Sequence, residues 1–132
     1  MSIIIFDLDD TLVSPRMKVP RQTYHMLNRF RRLNYLIGII SYNCMVNLVA
    51  KETNLYNYSS HIFYEDVDRD ILFDKCVNKI IEDNKLNNVN KLYYVDDRLD
   101  NLLVVKNKNK DVITYHCIDI NELYKLKNYI NT

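Results

Sequence analysis

Five short apolar runs punctuate the chain, at 3–6, 36–40, 62–64, 92–95 and 112–116, each followed by polar residues. Such runs, bounded by turn formers, read as strands buried in a parallel sheet. The intervals between them carry helical spacing. Tyr24, Leu27 and Phe30 follow Pro20, which suits a first helical turn. A helix is expected over 43–55, with Met45, Val46, Leu48 and Val49 partly inward. A longer one over 70–84 places Phe73, Cys76, Val77, Ile80 and Ile81 on one face. Further helices are expected over 99–105 and 121–130, the first followed by a polar turn over 106–110. Alternating strands and helices imply an α/β fold, a three-layer Rossmann-like parallel sheet with helices on both faces. No repeat, linker or internal boundary interrupts the 132 residues, so one domain over 1–132 is expected.

Two of the strands run straight into carboxylates. Ile3-Ile4-Ile5-Phe6 leads into Asp7-Leu8-Asp9-Asp10-Thr11, and Leu92-Tyr93-Tyr94-Val95 leads into Asp96-Asp97, with Asp100 and Asn101 beyond. Ligands of open α/β sheets bind outside the carboxyl ends of the strands, so the two clusters are expected to meet at one edge. Close carboxylates repel by roughly 4 kcal/mol per pair at an effective dielectric near 20. A cation or shared protons must hold such a cluster together. Oxygen donors without clustered His or Cys favour a hard ion, Mg²⁺.

Asp7 and Asp9 flank one residue, so in extended chain both side chains emerge on the same side. One carboxylate can attack phosphorus while the other protonates the leaving oxygen and later deprotonates water. Different surroundings can hold the two in different protonation states. Thr11 can fix both by hydrogen bonding. Asp is also a common turn residue, and a solvated strand exit is the plain alternative. Asp97 is the candidate for direct coordination, and Asp96 a co-ligand or a support behind it. Asn101 can orient a ligand carboxylate or a bound water.

Ser41 ends the second strand, and Tyr42-Asn43 opens the next helix. A hydroxyl with helix-terminal N–H groups makes a phosphate cradle, although simple helix capping is the commoner role for Ser and Asn. Phosphoryl transfer also calls for a fixed cation. Arg69 and Lys75 stand near the start of the long helix. Lys75 is the choice here, against the alternative of a solvated face.

Composition excludes more than it assigns. The chain has 48% hydrophobic and 27% charged residues, with a formal net charge of +1. Nucleic acid is therefore not indicated by charge, and no apolar run reaches the ~20 residues that span a bilayer. The N-terminus opens on a strand without a signal-peptide pattern, from which an intracellular, cytoplasmic protein is expected. Cys44, Cys76 and Cys117 lack metal-type spacing and suit reduced thiols. Asn, Ile, Tyr and Lys make up roughly two-fifths of the chain against one Gly and one Ala. That bias fits an AT-rich genome, such as a large DNA virus, a protist or a bacterium, and leaves a virus-encoded origin open.

These motifs resemble those of the haloacid dehalogenase superfamily phosphatases. The first is Asp7-Leu8-Asp9-Asp10-Thr11, the second Ser41, the third Lys75 or Arg69, and the fourth Asp97 with Asn101, Asp96 standing in its Gly or acidic position. They occur in the family's order across most of the chain. The resemblance implies Asp7 as the nucleophile forming an aspartyl-phosphate and Asp9 as general acid and base. It implies Mg²⁺ held by Asp7, the Asp9 backbone carbonyl and Asp97, and a sheet of order 3-2-1-4-5. The intervals 11–41 and 41–96 leave no room for a cap domain, so the chain is similar to the capless, magnesium-dependent phosphatase group. C-terminal-domain phosphatases are a weaker match at Asp96-Asp97-Arg98.

An open site implies a phosphorylated substrate selected by surface loops, a partner subunit or its own size: a phosphoprotein, a phosphosugar or a nucleic-acid phosphate end. Association with a second copy of the chain is left open. A catalytically silent binding or regulatory module is the main alternative. A phosphoacceptor receiver domain would place its acidic pair on the first strand and its phosphorylated Asp on the third, the reverse of the order here. A dehalogenase would not require Asp9 and Asp97.

Overall fold

The computed structural model describes residues 1–130; positions 131–132 of the expected 1–132 unit lie outside them. Five strands form one parallel sheet: β1 (Ile3–Asp7), β2 (Leu36–Ser41), β3 (His61–Tyr64), β4 (Leu92–Asp96) and β5 (Ile113–His116). Their order is β3-β2-β1-β4-β5, as expected. The most apolar strand, β1, is central and buried along its whole length. Register sets Phe6 beside both Ile39 and Val95, so β1, β2 and β4 end at nearly one level.

Helices α1 (Arg21–Arg32), α2 (Val46–Glu52), α3 (Arg69–Asp83), α4 (Leu99–Lys108) and α5 (Leu126–Ile130) cover the two faces. Strand alternation sorts the core. Ile4 and Phe6 pack with Leu27 and Phe30 of α1, Val49 of α2 and Leu126 of α5. Ile3 and Ile5 point the other way, onto Phe73, Cys76 and Ile80 of α3 and Leu102 of α4. The single glycine, Gly38 on β2, lies under α3. A Cβ there would stand 2.7 Å from Cys76 Sγ and 2.8 Å from Ile5 Cδ1, so only Gly lets the helix approach.

Two helices differ from expectation. The 43–55 helix begins only at Val46 and stops at Glu52. Its expected first turn is taken by side-chain hydrogen bonds from Asn43 N to Ser41 Oγ and from Met45 N to Asn43 Oδ1, which form a turn instead. Asn54, at φ 64°, then breaks the chain into a 3₁₀ turn, Leu55–Asn57. Met45 and Leu48, expected to face partly inward, are about half exposed (52% and 48%). The closing helix starts as a 3₁₀ stretch, Ile120–Lys125, where the Asp119 side chain accepts the Asn121 N–H. Among the described residues, none of the helices is long and apolar enough to cross a membrane. No separate cap domain stands between the strands.

Candidate active site

The turn after β1 closes tightly. The N–H groups of Thr11, Leu12 and Val13 all approach the Leu8 carbonyl, and Asp10 N–H reaches Val13 O, with Asp10 itself left-handed at φ 63°. This folds Thr11 back over the strand end. Its hydroxyl stands 3.3 Å from Asp7 Oδ2 and 3.2 Å from Asp97 Oδ1, tying the ends of β1 and β4 together. One hydroxyl has one proton, so it donates to only one carboxylate at a time.

Asp7, Asp96 and Asp97 each offer an oxygen within 4.8 Å of the others. Burial, then the nearby Asp96, pushes Asp7 up to about 9, against the opposing pull of Arg69. The cluster therefore does not ionise fully on its own; it takes up protons or a cation. Its donors are all hard oxygens and its core is nearly dry, the chemistry that suits Mg²⁺. Asp7 and Asp97, with Asp96 close by, offer the carboxylate oxygens that would hold it.

Asp96 stands behind this cluster. It is fully buried, and its oxygens accept from Tyr94 Oη, from Arg98 N at 2.9 Å and from Asn101 Nδ2 at 3.1 Å. Burial raises its pKa, while those donors work in the opposite direction. Three donors hold this carboxylate firmly and leave about one of its four acceptor sites for a shared cation. Asn101 orients a carboxylate, in line with the sequence reading. Tyr94 carried no polar signal in the sequence, since Tyr in an apolar strand reads as core. His116, at the end of β5, is a second unforeseen neighbour: its Nε2 lies 2.9 Å from the Asp97 carbonyl.

The cation near Asp7 is Arg69, not Lys75. Arg69 Nη2 lies 3.4 Å from Asp7 Oδ1, and its side chain is 5% exposed. Its guanidinium lies 4.2 Å from the centre of the Tyr42 ring. Nε and Nη1 are buried with no hydrogen-bond partner among the described residues. Lys75 instead pairs with Glu65, both largely exposed. The physical reason is helix geometry: six residues along α3 carry Lys75 about 9 Å down the axis from Arg69, away from the strand ends.

The remaining candidates divide. Asp9 is exposed and lines the same cleft as Asp7, Asp10, Tyr42, Arg69 and Asp97. Ser41 is buried 3.5 Å from Asp9 Oδ2. Asn43, expected in a phosphate cradle, has its N–H on Ser41 Oγ and its side chain on Met45 N. It is a turn residue, and α2 starts three residues later with no terminus at the cleft. Thr11, also expected to bind phosphate, is fully buried with its hydroxyl between two carboxylates.

Comparison with known proteins adds one finding. The crystal structure of D,D-heptose 1,7-bisphosphate phosphatase from B. bronchiseptica, complexed with magnesium and phosphate, superposes at a TM-score of 0.59. The match covers 98% of this chain and 99% of that one, at 12% sequence identity. The two chains share a fold. No protein-family model and no curated protein matches the sequence.

Proposed function

We propose that this protein is a Mg²⁺-dependent phosphomonoesterase of the haloacid dehalogenase type, capless and similar to the magnesium-dependent phosphatase group. The observation that carries the reading is one cleft lined by Asp7, Asp9, Asp97 and a buried Arg69, which pairs with Asp7 through Nη2 and leaves Nε and Nη1 without a partner among the described residues. A buried guanidinium with free donors is costly unless an anion completes it. Phosphate oxygens fit that fork.

In this reading Asp7 attacks phosphorus, forming an Oδ–P bond as the ester P–O bond breaks. Asp9 gives its proton to the departing oxygen. Water then attacks the phosphoryl group, Asp9 takes a proton from it, and inorganic phosphate leaves with Asp7 restored. Arg69 holds the phosphoryl oxygens, and Tyr42 keeps the guanidinium flat against the cleft wall. Ser41, buried beside Asp9, donates toward that carboxylate and steadies it. Mg²⁺, when bound, would offset negative charge on the carboxylates and phosphate alike. Thr11, Asp96, Tyr94 and Asn101 hold the ligand carboxylates in place.

Phosphate release from an aryl phosphate with millimolar Mg²⁺ tests the reading. Turnover that Asp7→Asn abolishes in a folded protein supports it. Wild-type protein inert toward a broad panel of phosphomonoesters would favour the silent binding module.

A further inference from the structure

The cleft is small and its surroundings carry more acid than base. Its volume is about 220 Å³, below the roughly 300–1,000 Å³ of pockets that enclose a whole ligand. It holds a phosphoryl group and little more, so a larger substrate extends onto the loops that follow the strands. In those loops exposed acids outnumber the exposed bases Arg16, Lys18 and Arg98. Asp9 and Asp10 follow β1, Asp66 and Asp68 follow β3, Asp100 follows β4 and Asp119 follows β5, all exposed. Asp100 is neutralised by Arg98, but Asp10, Asp66 and Asp68 form no ion pair among the described residues.

On the opposite edge exposed bases outnumber the exposed acids Glu82, Asp83 and Asp111. Arg29, Arg31 and Arg32 end α1, Lys85 follows α3, and Lys91 and Lys110 precede β4 and β5, all exposed. A net charge of +1 thus conceals an acidic face around the cleft and a basic face behind it. Such a field attracts cations to the cleft and repels polyanions.

Arg69 adds an independent sign. It lines the cleft and is 95% buried, its Nε and Nη1 have no hydrogen-bond partner among the described residues, and it marks the place of one anionic group inside a mainly anionic rim. A ligand that satisfies both carries a phosphate at its centre and positive charge around it. The acids lie on several sides of the cleft, so positive charge is wanted on both sides of the phosphate. A chain provides that, and a small amine phosphate does not. Tyr42 and Tyr64, each 45% exposed at the ends of β2 and β3, offer ring faces for the carbon stems of long basic side chains.

We propose that the substrate is a phosphorylated protein segment in which Lys or Arg flanks the phosphorylated residue on both sides. This inference rests on the phosphatase reading above.

The test compares kcat/KM, with Mg²⁺, for three phosphoesters: a phosphoserine peptide flanked by Lys and Arg, the same peptide flanked by Asp and Glu, and an oligonucleotide with a terminal phosphate. An aryl phosphate serves as the neutral reference. The basic peptide is expected to exceed the acidic one by about tenfold or more at low salt. The ratio shrinks as salt screens the rim, and it falls in an Asp66→Asn/Asp68→Asn double variant. Equal rates on the two peptides, or faster turnover of the oligonucleotide, overturn the proposal while aryl phosphate hydrolysis leaves the phosphatase reading standing. A ratio unchanged by the double variant also overturns it. Inactivity on all four compounds overturns both.

Discussion

Arg69 reaches Asp7 from the first residue of α3: Nη2 stands 3.4 Å from Oδ1, with both side chains at least nine-tenths buried. This ion pair places the anion-binding fork beside the nucleophile candidate. It also offsets part of the repulsion that Asp96 and Asp97 impose on Asp7.

Arg69→Lys keeps the charge and loses the planar fork. Its kcat/KM toward an aryl phosphate should fall by about tenfold or more, chiefly through KM. Lys75→Ala should change it by less than about twofold, because an exposed Lys–Glu pair contributes only about 0–1 kcal/mol. Steady-state kinetics on the two variants decide between the cations, and a larger loss in Lys75→Ala would reverse the assignment.

The carboxylate cluster makes metal-free stability depend on pH. Burial and Asp96 push Asp7 up to about 9, whereas its ordinary value is 3.8. The folded state therefore holds this proton more tightly than the unfolded chain does. Stability from this group is full below pH 3.8 and is lost as pH rises toward about 9. The proposed Mg²⁺ would displace the proton and bind only the folded site, so its stabilisation should grow over the same interval. Melting curves with and without millimolar Mg²⁺ should diverge as pH rises. Asp7→Asn should flatten that divergence, and a pH-independent response of the wild type would count against the cluster.

Tyr94 donates to Asp96 from inside the core. Tyr94→Phe removes that donor from a buried carboxylate, at a cost of about 1–3 kcal/mol. It should also weaken Mg²⁺ binding by about 10–100-fold, because Asp96 no longer holds its neighbour firmly. Isothermal titration and denaturant unfolding read the two effects separately. An unaltered metal affinity would leave Tyr94 a core residue only.

Gly38→Ala places a methyl group 2.7 Å from Cys76 Sγ and 2.8 Å from Ile5 Cδ1. Overpacking of this kind typically costs about 1–3 kcal/mol. The combination Gly38→Ala/Cys76→Ala should recover part of the loss, since the sulfur is the nearer obstacle. Denaturant midpoints for the single and double variants give the comparison.

The strands and carboxylates were legible because the signal is local: an apolar run that breaks into Asp marks a buried strand end, and parallel topology brings such ends together. Asp7, Asp9 and Asp97 stand out in this way, and all three line one cleft. The helix starts were harder. Ser41 and Asn43 compete for backbone N–H groups and delay α2 to Val46, a choice between helix and turn that spacing alone does not decide. Arg69 and Lys75 differ by less than two helical turns, and the preference for Lys75 ignored that only the first turn of α3 lies level with the strand ends. Tyr94 and His116 left no trace, because their roles depend on where Asp96 and Asp97 turn in three dimensions.

The proposed nucleophilic role of Asp7 is most directly tested by acid-quenching the protein with Mg²⁺ during turnover of an aryl phosphate and mapping its peptides by mass spectrometry. The account predicts a phosphoryl group on Asp7, labile in base and absent from Asp7→Asn. Turnover with an unmodified Asp7 peptide, or the phosphoryl group on another residue, would contradict it.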